Sequence, residues 1–227
     1  MNEIILEKDN IESGSIMLKI RKGIYFFSKR IIDIIAGLVG VVLLVPMTIV
    51  IKLISIFSGD FKSIFFTQER IGINGKSIKI FKYRSMVPNA EQLLEELMEK
   101  DPKIKEEYLT NKKLENDPRI TRVGKIIRKC SIDEFPQLIN VLIGNMTLVG
   151  PRPYLPREKE DMGKYYDYVI TCKPGITGLW QVSGRSDVSF KNRLKLDKKY
   201  ATERNFKMDV KIFFQTFSTV IGKKGAK

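Results

Sequence analysis

The sequence predicts a mainly helical α+β protein. A re-entrant, membrane-dipping helix-break-helix anchor precedes a small cytosolic domain with a β-hairpin and amphipathic interfacial helices. Three observations predict it. An uncharged apolar run from Ile34 to Ile51 is interrupted by Gly37, Gly40 and Pro46. An Asn74-Gly75 pair, a strong hairpin turn signal, separates two short segments with strand character. After residue 190 the chain becomes basic along one helical face and aromatic along another.

Residues 1–18 are polar and acidic and read as a weakly structured leader. They have no apolar core of the secretory kind, so the soluble part is expected to stay in the cytoplasm. Residues 19–57 form the anchor. Its apolar run is at the lower limit for crossing a bilayer, about 18 residues. Lys19, Arg21, Lys22, Lys29 and Arg30 lie before the run; Lys52, Lys62 and Arg70 lie after it. Cations favour the cytoplasmic side, so both ends point to the same face. A helix that enters, breaks near Pro46 and returns satisfies this rule. A straight span and a buried core helix are the competing readings. Asp33, with Lys29 and Arg30, can hold the start of the segment at headgroup level.

Residues 58–227 form the cytosolic domain. Ile64 to Gln68 and Ser77 to Tyr83 read as the hairpin strands. From Asn89 to Leu109 an acidic helix carries Leu93, Leu94, Leu97 and Met98 as its apolar stripe, with Asn89 as its cap. Asp117-Pro118-Arg119 opens a basic patch that includes Arg122, Lys125, Arg128 and Lys129. A helix then runs from Ser131 to Leu142. Val149 to Pro153 is a rigid turn, and Lys173 to Arg185 is too rich in glycine for a simple helix or strand. Phe190 to Ile221 is helical, in one piece or two. Its aromatic face either lies in a membrane interface or packs into the core.

The net charge is +14, from 40 basic and 26 acidic side chains. That suits a phosphate-bearing partner: an anionic membrane, a nucleotide-linked substrate or nucleic acid. The apolar anchor argues against nucleic acid. The chain has no histidine, which removes Ser-His-Asp and Cys-His catalysis and histidine-bound zinc. Cys130 and Cys172 have no paired spacing. Chemistry must come from carboxylates, Lys, Arg, hydroxyls, or an oxygen-bound cation such as Mg2+.

Asp133 and Glu134 are the centre of attention. Ser131 with Glu134 fits a capping box, and acids suit a helix start. The same carboxylates, with Arg128 and Arg152 near in sequence, also suit phosphate and magnesium, and a carboxylate can attack phosphorus. The prolines flanking Arg152 either aim its guanidinium or simply fix a surface turn. The glycines between Lys173 and Arg185 permit close backbone approach to a ligand, or make an irregular loop with Trp180 in the core.

These segments, in this order, resemble the bacterial sugar transferases: Lys29-Arg30 with Asp33, Phe81 to Met86, Ser131 to Gln137, Gly150 to Pro153, and Lys173 to Arg185. These are the monotopic phosphoglycosyl transferases that begin capsule, exopolysaccharide and glycoprotein glycan assembly. The match covers roughly residues 25–225, and the chain looks like the short catalytic form. The resemblance implies a re-entrant helix broken near a proline, often a Ser-Pro pair; here the pair is Val45-Pro46. It implies transfer of a sugar-1-phosphate from a UDP-sugar to undecaprenyl phosphate, with release of UMP. It implies Mg2+ and a covalent phosphosugar on Asp133, with Glu134 and Asp133 as metal ligands. Lys82, Arg128 and Arg152 match phosphate-binding cations. Gly178, Gln181 and Arg185 lie where nucleotide or sugar is bound. Expected partners are thus the UDP-sugar, undecaprenyl phosphate and cytoplasmic-membrane lipids, with the catalytic domain on the cytoplasmic face of a bacterial membrane. A homo-oligomer is compatible with this.

Overall fold

The computed structural model describes residues 2–184 and 188–221, with side chains over 19–184 and 188–218. Helix α1 (Asn2–Phe57) takes in both the leader and the anchor. The expected break at Pro46 does not occur: α1 continues through it. A proline inside a helix removes one hydrogen bond and crowds the preceding turn, at about 3 kcal/mol. Packing around Pro46 opposes that cost. Leu44 and Ile51 are buried with Ile64, Tyr83 and Ile127, and Met47 packs against them. The Thr48 and Tyr83 hydroxyls are 2.7 Å apart.

Residues 65–71 form β1 (Phe65–Ile71), and residues 77–83 form β2 (Ser77–Tyr83). They pair antiparallel, with Phe65 opposite Tyr83 and Ile71 opposite Ser77. The first strand runs three residues beyond the expected Gln68. The turn between them is a 3-10 turn, Ile73–Gly75, with Asn74 and Gly75 both at positive φ (56° and 74°). Asparagine and glycine tolerate that conformation best, which is why the pair marks the hairpin.

The acidic helix is two helices, α2 (Ala90–Lys100) and α3 (Pro102–Asn111). Pro102 cannot continue α2, and Asp101 caps α3 by accepting from the Lys103 amide at 2.8 Å. Asn89 does precede α2, but its side chain makes no capping bond. The basic patch forms α4 (Arg122–Lys129), capped by the Thr121 hydroxyl on the Gly124 amide at 2.9 Å.

The helix expected from Ser131 to Leu142 is divided into a 3-10 turn, Ile132–Glu134, and α5 (Gln137–Leu142). Residues 147–149 then make β3 (Thr147–Val149). Short helices α6 (Lys159–Met162) and α7 (Tyr166–Val169) lead to β4 (Gly175–Thr177) and α8 (Leu179–Val182). Strands β3 and β4 pair in parallel. The C-terminal helix is in two pieces, α9 (Phe190–Glu203) and α10 (Phe206–Ile221). In the second, Ile212 is buried with Val149, Cys172 and Tyr200, while Phe214 and Phe217 of the aromatic face stay more than half exposed.

Helix α1 lies against α5 with little room. A Cβ on Gly40 would stand 2.3 Å from the Leu138 Cδ1, and one on Gly37 would stand 3.0 Å from the Leu142 Cβ. The two glycines are therefore a docking surface. Polar contacts fix the register. Arg30 donates to the carbonyls of Val141 and Leu142, at 2.7 and 2.8 Å, at the end of α5. Asp33 accepts from the Leu148 amide at 2.9 Å. Lys29 meets Asp209 of α10 at 2.6 Å and the Val149 carbonyl at 2.8 Å. At the other end, Lys52 donates to the carbonyls of Phe61 and Lys62. The domain thus touches α1 on both sides of its apolar run, and Leu38, Val42, Val45 and Ile49 within the run are open.

Candidate active site

Asp133 and Glu134 sit on the 3-10 turn between α4 and α5. Ser131, just before it, has φ 56°, in the left-handed region. That conformation costs a serine of order 1 kcal/mol and needs surrounding structure to hold it. It also rules out the expected capping box, since the Ser131 side chain makes no cap bond. The reversal after α4 turns both carboxylates toward β2 instead of along a helix axis.

There Glu134 meets Lys82 of β2 at 3.0 Å. Arg128, in the last turn of α4, acts on Asp133 electrostatically, and its Nε donates to the Ser85 hydroxyl at 2.8 Å. Arg152 and Arg70 act on Glu134. Burial and the neighbouring Glu134 push Asp133 up to about 6. Against its own burial, Lys82 draws Glu134 below the usual glutamate range. Two adjacent carboxylates thus differ in proton affinity because only one has a direct ion-pair partner.

Arg152 is held by its surroundings, as the two prolines suggested. Its backbone amide donates to Asp197 Oδ2 at 3.2 Å, and the Tyr154 hydroxyl donates to the same oxygen at 2.8 Å. Its guanidinium lies 5.8 Å from the centre of the Trp180 ring, and Arg193 lies 5.0 Å from the same ring. Such cation–ring contacts contribute about 0.5–2 kcal/mol.

A model of the family described as bacterial sugar transferase matches residues 24–223. The chain belongs to the bacterial sugar transferase family. It is 44% identical over 200 residues to a UDP-galactose-lipid carrier transferase of Erwinia amylovora, and 42% identical over 200 residues to an undecaprenyl-phosphate galactose phosphotransferase of Salmonella typhimurium. Each match covers 88% of this chain but 42% of the relative. It is also 38% identical over 199 residues to the exopolysaccharide production protein ExoY of Sinorhizobium fredii, with 88% of both chains covered. The chain therefore spans less than half of two of these relatives and most of the third.

The fold brings Lys82, Arg128, Arg152, Asp133 and Glu134 to one place. Gly178 immediately precedes α8, and Gln181 lies within it. A Cβ on Gly178 would lie 2.2 Å from the Gly150 carbonyl oxygen, and one on Gly175 would lie 2.1 Å from the Gly150 nitrogen. These glycines admit the backbone of the Arg152 turn. Gln181 Nε2 donates to the Ile176 carbonyl at 2.8 Å, tying α8 to β4. Arg185 lies outside the described residues. Lys29, Arg30 and Asp33 dock α1, as the fold shows, and Pro46 lies within it.

Sequence reasoning missed two residues. Arg70 of β1, read only as an anchor flank, is buried and donates to the Pro153 carbonyl at 2.9 Å and to Gln68 at 2.5 Å. Burial and the nearby Arg152 push it down to about 9. Asp197, fully buried, is pushed up to about 7 by burial. The signal for Asp197 was present. Phe190, Arg193, Leu194, Asp197 and Tyr200 follow a helical stripe and form the buried face of α9. A lone acid on that stripe, among outward lysines, marks a structural partner. Arg70 had no comparable signal, because the first strand was ended before it.

Proposed function

We propose that this enzyme transfers a sugar-1-phosphate from a UDP-sugar to undecaprenyl phosphate, releasing UMP, as a first membrane step of capsule, exopolysaccharide or glycan assembly. The observation that carries the reading is the Asp133–Glu134 pair with Lys82 at 3.0 Å and Arg128, Arg152 and Arg70 around it. The names of the Erwinia and Salmonella relatives point to the same donor and acceptor classes.

Asp133 is the nucleophile. With its proton affinity near 6, it is chiefly carboxylate at neutral pH and needs no base. An Asp133 oxygen forms a bond to the sugar-bearing phosphorus of the donor. The bond from that phosphorus to the bridging oxygen breaks, and UMP leaves with that oxygen. Lys82, Arg128 and Arg152 offset the charge of the diphosphate during approach. Arg152 is the best oriented of them, since the Asp197 contact, the Trp180 ring and two prolines restrict it.

The residues fit Mg2+. This ion is commonly held by one or two carboxylates together with substrate phosphates and water. Asp133 and Glu134 supply that number, and among the described residues no larger acidic cluster provides a complete cage. The raised proton affinity of Asp133 is that of a carboxylate lacking compensating charge, which a cation would supply. When bound, the ion would neutralise developing phosphate charge.

For the membrane, we propose that the flanks of α1 both lie on the cytoplasmic side. Support comes from the basic ends of the segment and from contacts of Lys29 and Lys52 with the same domain. Those residues are separated by roughly 35 Å of helix. Because α1 is unbroken, it lies along the domain with its open apolar face in lipid. It is the one described helix long and apolar enough to cross a bilayer.

The test of the reaction measures UMP release from a panel of UDP-sugars, with and without undecaprenyl phosphate. Wild type releases UMP, and sustained release needs the lipid. Asp133→Asn does not. No release by wild type from any donor would overturn the reading. Labels before Lys29 and after Lys52 test the topology; labels on opposite faces would contradict it.

A further inference from the structure

Helix α1 ends at Phe57, and the chain turns before entering β1. Beside this turn is a groove of about 290 Å3. Residues 59–62 wall one side; Arg84, Val87, Pro88 and Thr121 wall the other. The volume is near the lower end for ligand clefts, about 300 Å3. Apolar rings stand next to it: Phe61, in the wall, is 74% exposed, and Phe57 is 89% exposed. Phe57 is the last residue of α1, and Phe61 follows in the turn.

The groove also carries charge. Arg84 binds both oxygens of Asp60, at 2.8 and 2.9 Å. Lys62 is in the wall, and the Lys52 ammonium is at the turn carbonyls. Arg84 holds the Asp60 carboxyl below the usual range, with the Lys62 amide and the Lys52 charge acting the same way. An anionic headgroup complements this surface, while the phenylalanines suit an apolar tail.

The segment after β2 links the groove to the cations of the candidate site. Lys82, which holds Glu134, lies in β2, and Arg84, which lines the groove, follows the last residue of that strand. Ser85 binds both sides: its carbonyl accepts from the Thr121 amide at 3.0 Å, and its hydroxyl accepts from Arg128 at 2.8 Å.

We propose that this groove seats the phosphate end of the isoprenoid acceptor, with its chain passing Phe61 and Phe57 into lipid. The inference rests on the proposed transferase reading and locates its second substrate. In the second half-reaction, an acceptor phosphate oxygen forms a bond to the sugar-bearing phosphorus. The bond from that phosphorus to Asp133 breaks, and the carboxylate is regenerated. The total charge is conserved without a proton donor: a phosphate dianion and a phosphodiester monoanion become a diphosphate dianion and a carboxylate.

The probe is a polyprenyl phosphate with a diazirine in its first isoprene unit, photolysed on wild-type protein in lipid nanodiscs. Label is expected within residues 59–62 or 84–88. Excess undecaprenyl phosphate removes it and excess phosphatidylglycerol does not. Label elsewhere, or equal competition by phosphatidylglycerol, overturns the proposal. Kinetics supply a second arm. Val87→Trp fills the groove, and Lys62→Glu reverses an exposed charge that does not support the core. Each is expected to raise the KM for undecaprenyl phosphate about tenfold while retaining the first-turnover burst of UMP. An unchanged KM in both overturns it. A wild type with no UMP burst from any donor, yet labelled in the groove, would sink the transferase reading and leave the lipid seat standing.

Discussion

Two clusters in this protein use the same side-chain types for opposite ends. Around Asp209, a Lys, a carboxylate and two tyrosines are mutually satisfied. Lys29 lies 2.6 Å from Oδ2, Tyr25 donates to that oxygen at 2.8 Å, and Tyr200 donates to Oδ1 at 2.7 Å. Around Asp133, cations are present, but direct pairing goes to Glu134, and Asp133 stays shifted upward. The first cluster joins α1 to the domain. The second keeps a carboxylate short of partners. Charge that is fully paired holds structure; charge left short of partners is available for chemistry.

The sharpest way to break this contrast is Asp133→Asn. UMP release should fall by roughly four orders of magnitude or more, the scale seen when a nucleophile is removed. The same variant should melt at a higher temperature at pH 8. Its raised folded pKa means that the charged form weakens the fold, so stability falls as pH rises from about 4 to about 6. The stabilisation by asparagine should therefore vanish below about pH 4. A variant that loses both activity and stability would place Asp133 with the structural cluster.

Glu134→Gln comes next. It removes the partner of Lys82 and one oxygen ligand for a cation, and should cost roughly a hundredfold to a thousandfold in rate. A magnesium titration should shift to higher concentration; an unchanged titration would deny the metal role. In the structural cluster, Lys29→Met leaves Asp209 without its ammonium. It should cost about 3 kcal/mol in denaturant unfolding, as breaking a buried pair does.

A smaller effect comes from pH. Below about 6 the rate of the UMP burst should fall close to tenfold per unit as Asp133 takes up its proton. A flat profile from pH 7 to pH 5 would remove Asp133 as the titrating nucleophile. The smallest is Asp197→Asn. It weakens the hold on the Arg152 amide and Tyr154, and should lower turnover about threefold to tenfold, the 0.5–1.5 kcal/mol of one hydrogen bond. Its mark should be a higher KM for the donor, since Arg152 is the group displaced.

The two clusters were not equally legible in the sequence. Asp133, Glu134, Lys82, Arg128 and Arg152 stand in local motifs, and their convergence follows from a hairpin and a turn that the residues announce. The partnership of Lys29 with Asp209 spans most of the chain, so no local pattern could reveal it. Pro46 promised a break, but the packing of Leu44, Thr48 and Ile51 on the hairpin outweighs one proline. Ser131 promised a cap, but its positive φ serves a reversal instead. Strands β3 and β4 escaped notice because three residues each, separated by a long excursion, leave no periodicity. The glycines before Trp180 were legible as sites of close approach, but what approaches is Gly150.

The central claim is that Asp133 becomes covalently bound to the phosphosugar. Intact-mass measurement of the protein incubated with its UDP-sugar and Mg2+, without lipid acceptor, tests it directly. The account predicts one adduct of sugar-phosphate mass, mapped to the peptide containing Asp133, absent in Asp133→Asn and discharged by undecaprenyl phosphate. UMP release without an adduct in rapidly quenched samples, or an adduct on another residue, would contradict it.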